Sequence, residues 1–320
     1  MSRIRADRYT NRAGTGAPTF ADGVNVVGIT SINPGAGTTS MLVTGDLSVI
    51  SGTIKGASEL SISGITSSIS DTAVDVFVYD TSKDSDGGAW RKRTQNTSWY
   101  NETLNTATRG SRKEFPAVAV IVVETDQVTI YDGDDPDLPM WMIFDGGTAT
   151  GFNSTTHLGT GTDNDATSAS ALNGIICVGT NSNKGVRRFE FKKDRSSFLR
   201  SQAGSSNAVS TRPISGRNIE NNSFIIVGST AIVNNIVNDV AMTVLPNAPI
   251  DSATGLQIPT IAVATDGGVS IIKDDETVVD IIAHSNYKIS KELSFTDDNK
   301  IAYTLDNGTG RRSFRVDSIP

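Results

Sequence analysis

The chain has 320 residues, of which 37% are hydrophobic and 20% charged, with a formal net charge of −7 and one cysteine. One cysteine excludes an intrachain disulfide framework, and the acidic balance argues against general nucleic-acid binding. No apolar run approaches the ~20 residues needed to cross a bilayer, so no membrane insertion is expected. With its 30 glycines added, the apolar share is ordinary for a globular protein, and a sizeable core is within reach.

The first element is a leader, residues 1–23. Its stretch "ADRYTNRAGTGAPTF" places Gly14, Gly16 and Pro18 within five residues, which rules out a helix. No apolar stretch follows its basic residues, as a secretory signal requires. The segment is expected to lie extended on another molecule. Arg3, Arg5, Arg8 and Arg12 offer forked hydrogen bonds to carboxylates there, and Tyr9 and Phe20 are its apolar anchors. A frayed terminus is the alternative.

Residues 24–70 change character. "VNVVGITSI", "MLVTGDLSVISGTIKG" and "LSISGITS" alternate Val, Ile and Leu with Ser, Thr and Gly, and "GITS" occurs twice. Such alternation, closed by Gly, predicts short strands and turns. Strands this short bury little within one chain and become stable when copies wind together or stack. The stretch therefore predicts an oligomerising β-repeat shaft or collar.

Residues 71–320 predict an all-β body. "AVDVFVYDTSKDSDGGAWRKRT" reads as a strand, an Asp/Gly turn and a second strand. "FPAVAVIVVETDQVTIYD", "LNGIICVGTNSNKGVRRFEFKKD", "NSFIIVGSTAIVNNIV", "IPTIAVATDGGVSIIK" and "NKIAYTLDNGTGRRSFRVDSIP" repeat the theme. The units begin near Ala73, Phe115, Leu172, Asn222, Ile258 and Asn299, and their spacing straddles the ~40–50-residue period of propeller blades. A β-propeller-like body explains this best, with a β-sandwich as the alternative. "TDGG" and "DNGTG" are good turn sequences. "SASALNG" offers at most one helical turn, and the polar stretches 146–161 and 201–216 read as connections between units. No further strand follows the last hairpin, so a ring would be closed by an earlier strand or by sequence beyond residue 320.

The chemistry on offer is sparse. Cys177, in "GIICVG", reads as a buried inert thiol. His157 and His284 have no ionisable neighbour at a catalytic spacing and read as surface or loop residues. "PGAGTTS" lacks the lysine of a phosphate loop. "DGDDPD" offers Asp132, Asp134, Asp135 and Asp137 as weak calcium candidates, but Pro136 falls at a ligand position and no later Glu completes the site; a solvated turn is favoured. Trp90, Trp99, Tyr100 and Trp141 lie near turns and are candidate glycan contacts, with core or interface packing as the favoured alternative. The basic clusters "WRKR", "RGSRK" and "RRFEFKKDR" read as solvated strand faces or loops. No catalytic residue, metal or cofactor is predicted.

Two segments carry a resemblance. "RADRYTNRAGTGAPTFADGVNVVGITS", followed by "TGDLSVISGTIKG", resembles the N-termini of virion structural and tail-fibre-like proteins of marine tailed phages, especially cyanophages. The block from "GAWRKRTQNTSWYNETLN" to "DLPMWMIF" is similar to a segment recurring in large structural proteins of such phages. The resemblance implies a non-enzymatic virion component at the tail, fibre or baseplate, anchored through its N-terminus to other virion proteins, with a homotrimer or ring as its form. A receptor-binding or polysaccharide-degrading tail protein that meets a host surface glycan is the alternative.

Overall fold

Alternation and β-branching set the first sheet. In the computed structural model, "DVFVYD" becomes β1 (Asp75–Asp80) and "VAVIVV" becomes β2 (Val118–Val123), followed by β3 (Gln127–Asp132) and β4 (Met140–Asp145). They pair antiparallel in the order β1-β2-β3-β4. β2 is nearly continuous in Val and Ile because a central strand is covered on both faces. The described residues are 71–147, 156–158, 165–181, 184–201, 206–220, 223–282, 288–309 and 312–320. All belong to the second of two units, residues 59–320; the expected leader and shaft, with Arg3, Arg5, Arg8, Tyr9, Arg12 and Phe20, lie outside them, as does His284.

One expected strand is absent from its place. After the Asp/Gly turn, Ala89–Arg93 forms a 3-10 helix. Gly87 and Gly88, at φ of 63° and 78°, turn the chain inward. A Cβ on Gly88 would come within 2.7 Å of Thr81 Oγ1. The inward turn buries Trp90, and β1 takes β2 as its partner.

The second sheet is a six-stranded antiparallel meander. It comprises β5 (Asp165–Leu172), β6 (Ile175–Asn181), β7 (Val186–Glu190), β8 (Arg195–Leu199), β9 (Asn207–Ser210) and β10 (Phe224–Gly228). Two expectations are corrected here. "DATSASAL", in which "SASALNG" read as a helical turn at most, is the full-length strand β5. Part of the stretch read as a connection, residues 201–216, is the paired strand β9. The hairpin between β5 and β6 turns on Asn173 and Gly174, both left-handed at φ of 53° and 71°.

The third sheet holds β11 (Val237–Thr243), β14 (Thr260–Thr265), β15 (Gly268–Ile272) and β16 (Val278–Ile281), paired in that order. A small hairpin, β12 (Ile250–Asp251) with β13 (Leu256–Gln257), is inset between β11 and β14. The fourth sheet is β17 (Leu293–Phe295), β18 (Lys300–Asp306) and β19 (Arg312–Ser318). "TDGG" forms the turn between β14 and β15, and the described part of "DNGTG", Asp306 to Thr309, follows β18 in its hairpin with β19.

The six expected units thus condense into four principal sheets. "FIIVG" completes the second sheet as its last strand, while the following "VNDVAMT" opens the third. Sheets pack in series through their first strands: β1 lies beside β5, β5 beside β11, and β11 beside β17. One core joins the first two sheets, a second joins the second and third, and a third joins the third and fourth. The architecture is all-β, built from several antiparallel sheets.

Candidate functional site

The aromatic candidates are interior residues. Trp90 and Trp99 are 0% exposed and Trp141 is 1%. Trp141 stands edge-on to Phe115 at 4.9 Å and to Trp99 at 5.6 Å, with Phe191 at 5.8 Å. Tyr100 packs partly buried against the same core. With their faces occupied, the three indoles have no open surface on which a sugar ring could stack, which corrects the glycan-contact expectation for them. The sequence placed them near turns, correctly, but those turns fold inward.

The aspartate loop is tied down by protein groups. Arg112 Nη1 donates to Asp132 at 2.9 Å and to Asp134 at 2.6 Å. Asp134 also accepts from the amides of Ala117 and Val118 at 2.8 and 2.9 Å, and Asp135 accepts from the Asp137 amide at 3.0 Å. Burial pushes Asp134 up, but the two amides and Arg112 outweigh it and hold its carboxyl below the ordinary range. A cation would have to displace an arginine, and no metal-ligating group of three or more acids, His or Cys occurs among the described residues.

The basic clusters were read as solvated, and here the structure differs most. Arg109 and Arg187 of those clusters, and Arg217 outside them, are each at most 2% exposed. Arg217 grips Glu102 with Nη1 at 2.7 Å and donates to the Ile143 and Thr108 carbonyls. Arg109 donates to the carbonyls of Trp141 and Lys113 and lies 4.4 Å over the Trp141 ring. Burial, with Arg217 close by, lowers Arg109 to about 10 although Glu102 opposes the shift. Arg109 and Arg217 hold the long β1–β2 connection onto the sheet. His157, expected at the surface, is buried, and Ser210 Oγ lies 3.1 Å from its Nε2. Burial, then Arg187, Arg217 and Arg212, lower it to about 3. Cys177 is buried and free, its thiol pushed up to about 12 chiefly by burial.

A buried carboxylate stitches three segments. Asp84 accepts from Tyr79 Oη at 2.7 Å, from Trp90 Nε1 at 2.6 Å and from the Asn173 amide at 2.7 Å. Asn173 in turn accepts from the Ser85 amide and donates to the Gln257 carbonyl. The network runs from the first sheet through the β5–β6 turn to the β12–β13 hairpin. Burial raises the Asp84 pKa even against these donors.

Beside that network opens a cleft of about 330 Å³. Its floor is aliphatic, with Ile175, Leu256, Ile258, Ile261 and Ile272, and its rim is charged. Lys193 Nζ bridges Asp251 at 2.6 Å and Glu190 at 3.2 Å, and Arg195 Nε holds Glu190 at 2.8 Å. Burial pushes Glu190 up, but Arg188, Arg195 and Lys193 outweigh it and keep its carboxyl below the usual range. Period two in "RRFEF" puts Arg188 and Glu190 on one face of β7, the one sequence signal that pointed here.

No protein-family model matches the chain, and no curated protein matches it. Similar solved structures include a luciferin-regenerating enzyme at 11% identity, covering 63% of this chain and 74% of that one, with a TM-score of 0.27. BBS1N in complex with ARL6DN follows at 16% identity, covering 63% and 50%, with a TM-score of 0.24. The extracellular domain of the one-component system BT4673 from B. thetaiotaomicron has 9% identity, 58% and 31% coverage and a TM-score of 0.19. Likeness at this level carries no argument about what this chain does.

Proposed function

We propose that the chain is a structural, non-enzymatic component of a phage virion, associated with the tail, fibre or baseplate and anchored by its N-terminal leader. In this reading the body is β-propeller-like, because successive antiparallel meanders set their first strands side by side, as blades do. The observation that carries the structural role is the pair of apolar rows on the terminal sheets. On β1, Val76 and Val78 are 41% and 47% exposed, and on β19, Phe314 and Val316 are 69% and 46% exposed. Period two puts each pair on one strand face. Between the terminal sheets, neighbouring sheets share buried cores; the end rows are what a subunit offers to the next copy in a homotrimer or ring. The virion setting rests on the resemblance of the leader and of the block around Trp90 to Phe144.

Sedimentation of the full chain at micromolar concentration tests the assembly. We expect a defined oligomer, and Phe314→Glu with Val316→Glu should reduce it while leaving the circular dichroism unchanged. A strictly monomeric wild type rejects the reading. Removing residues 1–23 should leave a folded protein that fails to enter particles; incorporation at normal copy number removes the anchoring role. Receptor binding at a free fibre tip is the second reading, and labelling of the body at such a tip in intact particles would favour it.

A further inference from the structure

The charged rim of the Glu190 cleft is used unevenly. Glu190 and Asp251 are matched by Lys193 and Arg195, and Asp275 accepts from the amide and hydroxyl of Thr277. Lys192 and Lys273 also line the cleft, and neither ammonium has an ion pair or hydrogen bond among the described residues. Asp274 is the one acid of the rim left in the same position.

Arg188 sets the chemistry of the opening. It lines the cleft yet is only 8% exposed, on the same face of β7 as Glu190. Glu190 lies in its field but makes its contacts with Arg195 and Lys193. Arg188 Nε donates to Ser197 Oγ at 3.1 Å. Its far end is unsatisfied: Nη2 lies 3.8 Å from Glu276, beyond hydrogen-bond reach. Neither terminal nitrogen has an acceptor, and neither is sealed off as two nitrogens of Arg187 are. Glu276 is a loose neighbour, its side chain 56% exposed and its backbone left-handed at φ 63° in the β15–β16 turn.

A guanidinium with both terminal nitrogens open takes two oxygens carried on one centre. The aliphatic floor beside it takes hydrocarbon, because covering such surface removes it from water. A phosphate dianion would satisfy the arginine, leave the floor bare and face Glu190 and Asp274 with two charges. A single carboxylate brings one charge, the one that Glu276 now holds at a distance.

We propose that the cleft binds an unbranched aliphatic carboxylate, its head end-on against Nη1 and Nη2 of Arg188 in place of Glu276 and its chain along the isoleucine and leucine floor. Lys192 and Lys273 add attraction from the rim. At about 330 Å³ the cleft is at the small end of ligand pockets, which favours a chain of medium length. The site goes beyond the structural role and does not depend on assembly.

The test is isothermal titration calorimetry of the full chain at neutral pH with hexanoate, octanoate and decanoate. Binding should be saturable at one site and tighten about fourfold per added methylene until the floor is covered. No saturable heat up to about 5 mM decanoate overturns the proposal. 1-Octanol and octylammonium test the head group: each should bind at least about tenfold more weakly than octanoate. Equal or tighter binding of either one overturns the carboxylate assignment. Arg188→Met should erase the preference for octanoate over octanol, and a preference that survives overturns the seat on Arg188. Glu276→Gln removes the competing carboxylate from an exposed turn and should tighten octanoate about threefold. Unchanged or weaker binding there also overturns the seat. Should Arg188→Met fail to fold, the three head groups on wild type and Glu276→Gln decide.

Discussion

The joint between the first two sheets and the joint between the last two are built on different chemistry. The first is aromatic and polar at once: Trp90, Trp99, Phe115, Trp141, Phe144, Phe189 and Phe191 fill it, with Arg109, Arg217 and Asp84 threaded among the rings. The last is aliphatic and small, with Ala262, Ala264, Val269, Ile271, Leu293, Ile301 and Leu305 around Tyr303. The cause is the connections. Between β1 and β2 a long irregular segment must be held down, so its backbone is satisfied by arginine and aspartate side chains and its bulk by indoles. Between the last sheets, strand faces meet directly, and methyl groups suffice. Irregular backbone demands polar partners inside a core; regular strands bring their own.

The largest expected effect is Trp141→Ala, which removes ring contacts on several sides and the Nε1 bond to the Glu114 carbonyl. It should cost about 3–5 kcal/mol in chemical denaturation, against about 2–3 kcal/mol for Leu305→Ala in the aliphatic joint. The reverse order would break the comparison. Asp84→Ala leaves Tyr79, Trp90 and Asn173 donors without their acceptor and should cost about 3 kcal/mol. Tyr79→Phe should cost less in that background than in wild type, which a double-mutant cycle measures.

Acid should act on the two joints in opposite senses. His157, packed on the second sheet, has a folded pKa of about 3 against an ordinary 6.5. The native state binds fewer protons there, so its contribution is whole above pH 6.5 and drains away as pH falls. From pH 7 to pH 5 the loss is on the order of 2 kcal/mol, and His157→Gln should abolish it. Asp239, on β11 at the joint with β17, is raised from 3.8 to about 6, mainly by burial, although the amides of Leu293 and Val240 pull it down. Here the native state holds the extra proton, so stability is whole below pH 3.8 and is lost as pH rises through 6. Going from pH 7 to pH 5 regains about 1 kcal/mol, and Asp239→Asn should flatten that part of the profile. Stability curves of the two variants that move in the same direction would refute the opposition. Smallest of all is Lys291→Ala. Its bridge to Asp266 at 3.0 Å is half in solvent, and the loss should stay under about 1 kcal/mol.

Some of this was legible before any coordinates. The β-branched run of β2, the alternation in β1, the "TDGG" and "DNGTG" turns and the inert Cys177 all follow from neighbours in sequence. Strand periodicity and turn chemistry are local properties, so the chain declared an all-β body by itself. Missed were β5, the burial of the arginines, the 3-10 turn at Trp90 in place of a strand, and the cleft around Glu190, whereas core packing of the indoles was the favoured reading. β5 is rich in Ala and Ser because β1 and β11 approach it closely: Asp75 Oδ2 accepts from the Ala169 amide at 2.8 Å, and Thr167 donates to the Val237 carbonyl at 3.0 Å. Read alone, small residues carry no hydrophobic period, and a basic run looks solvated. Burial of Arg109, Arg187 and Arg217 depends on rings and carbonyls that reach them from distant parts of the chain. Local propensity chose the strands and turns; only the tertiary structure decided which strands pair, which charges go inside and which surfaces remain to meet something else, because each of those is settled by contacts between residues far apart in sequence.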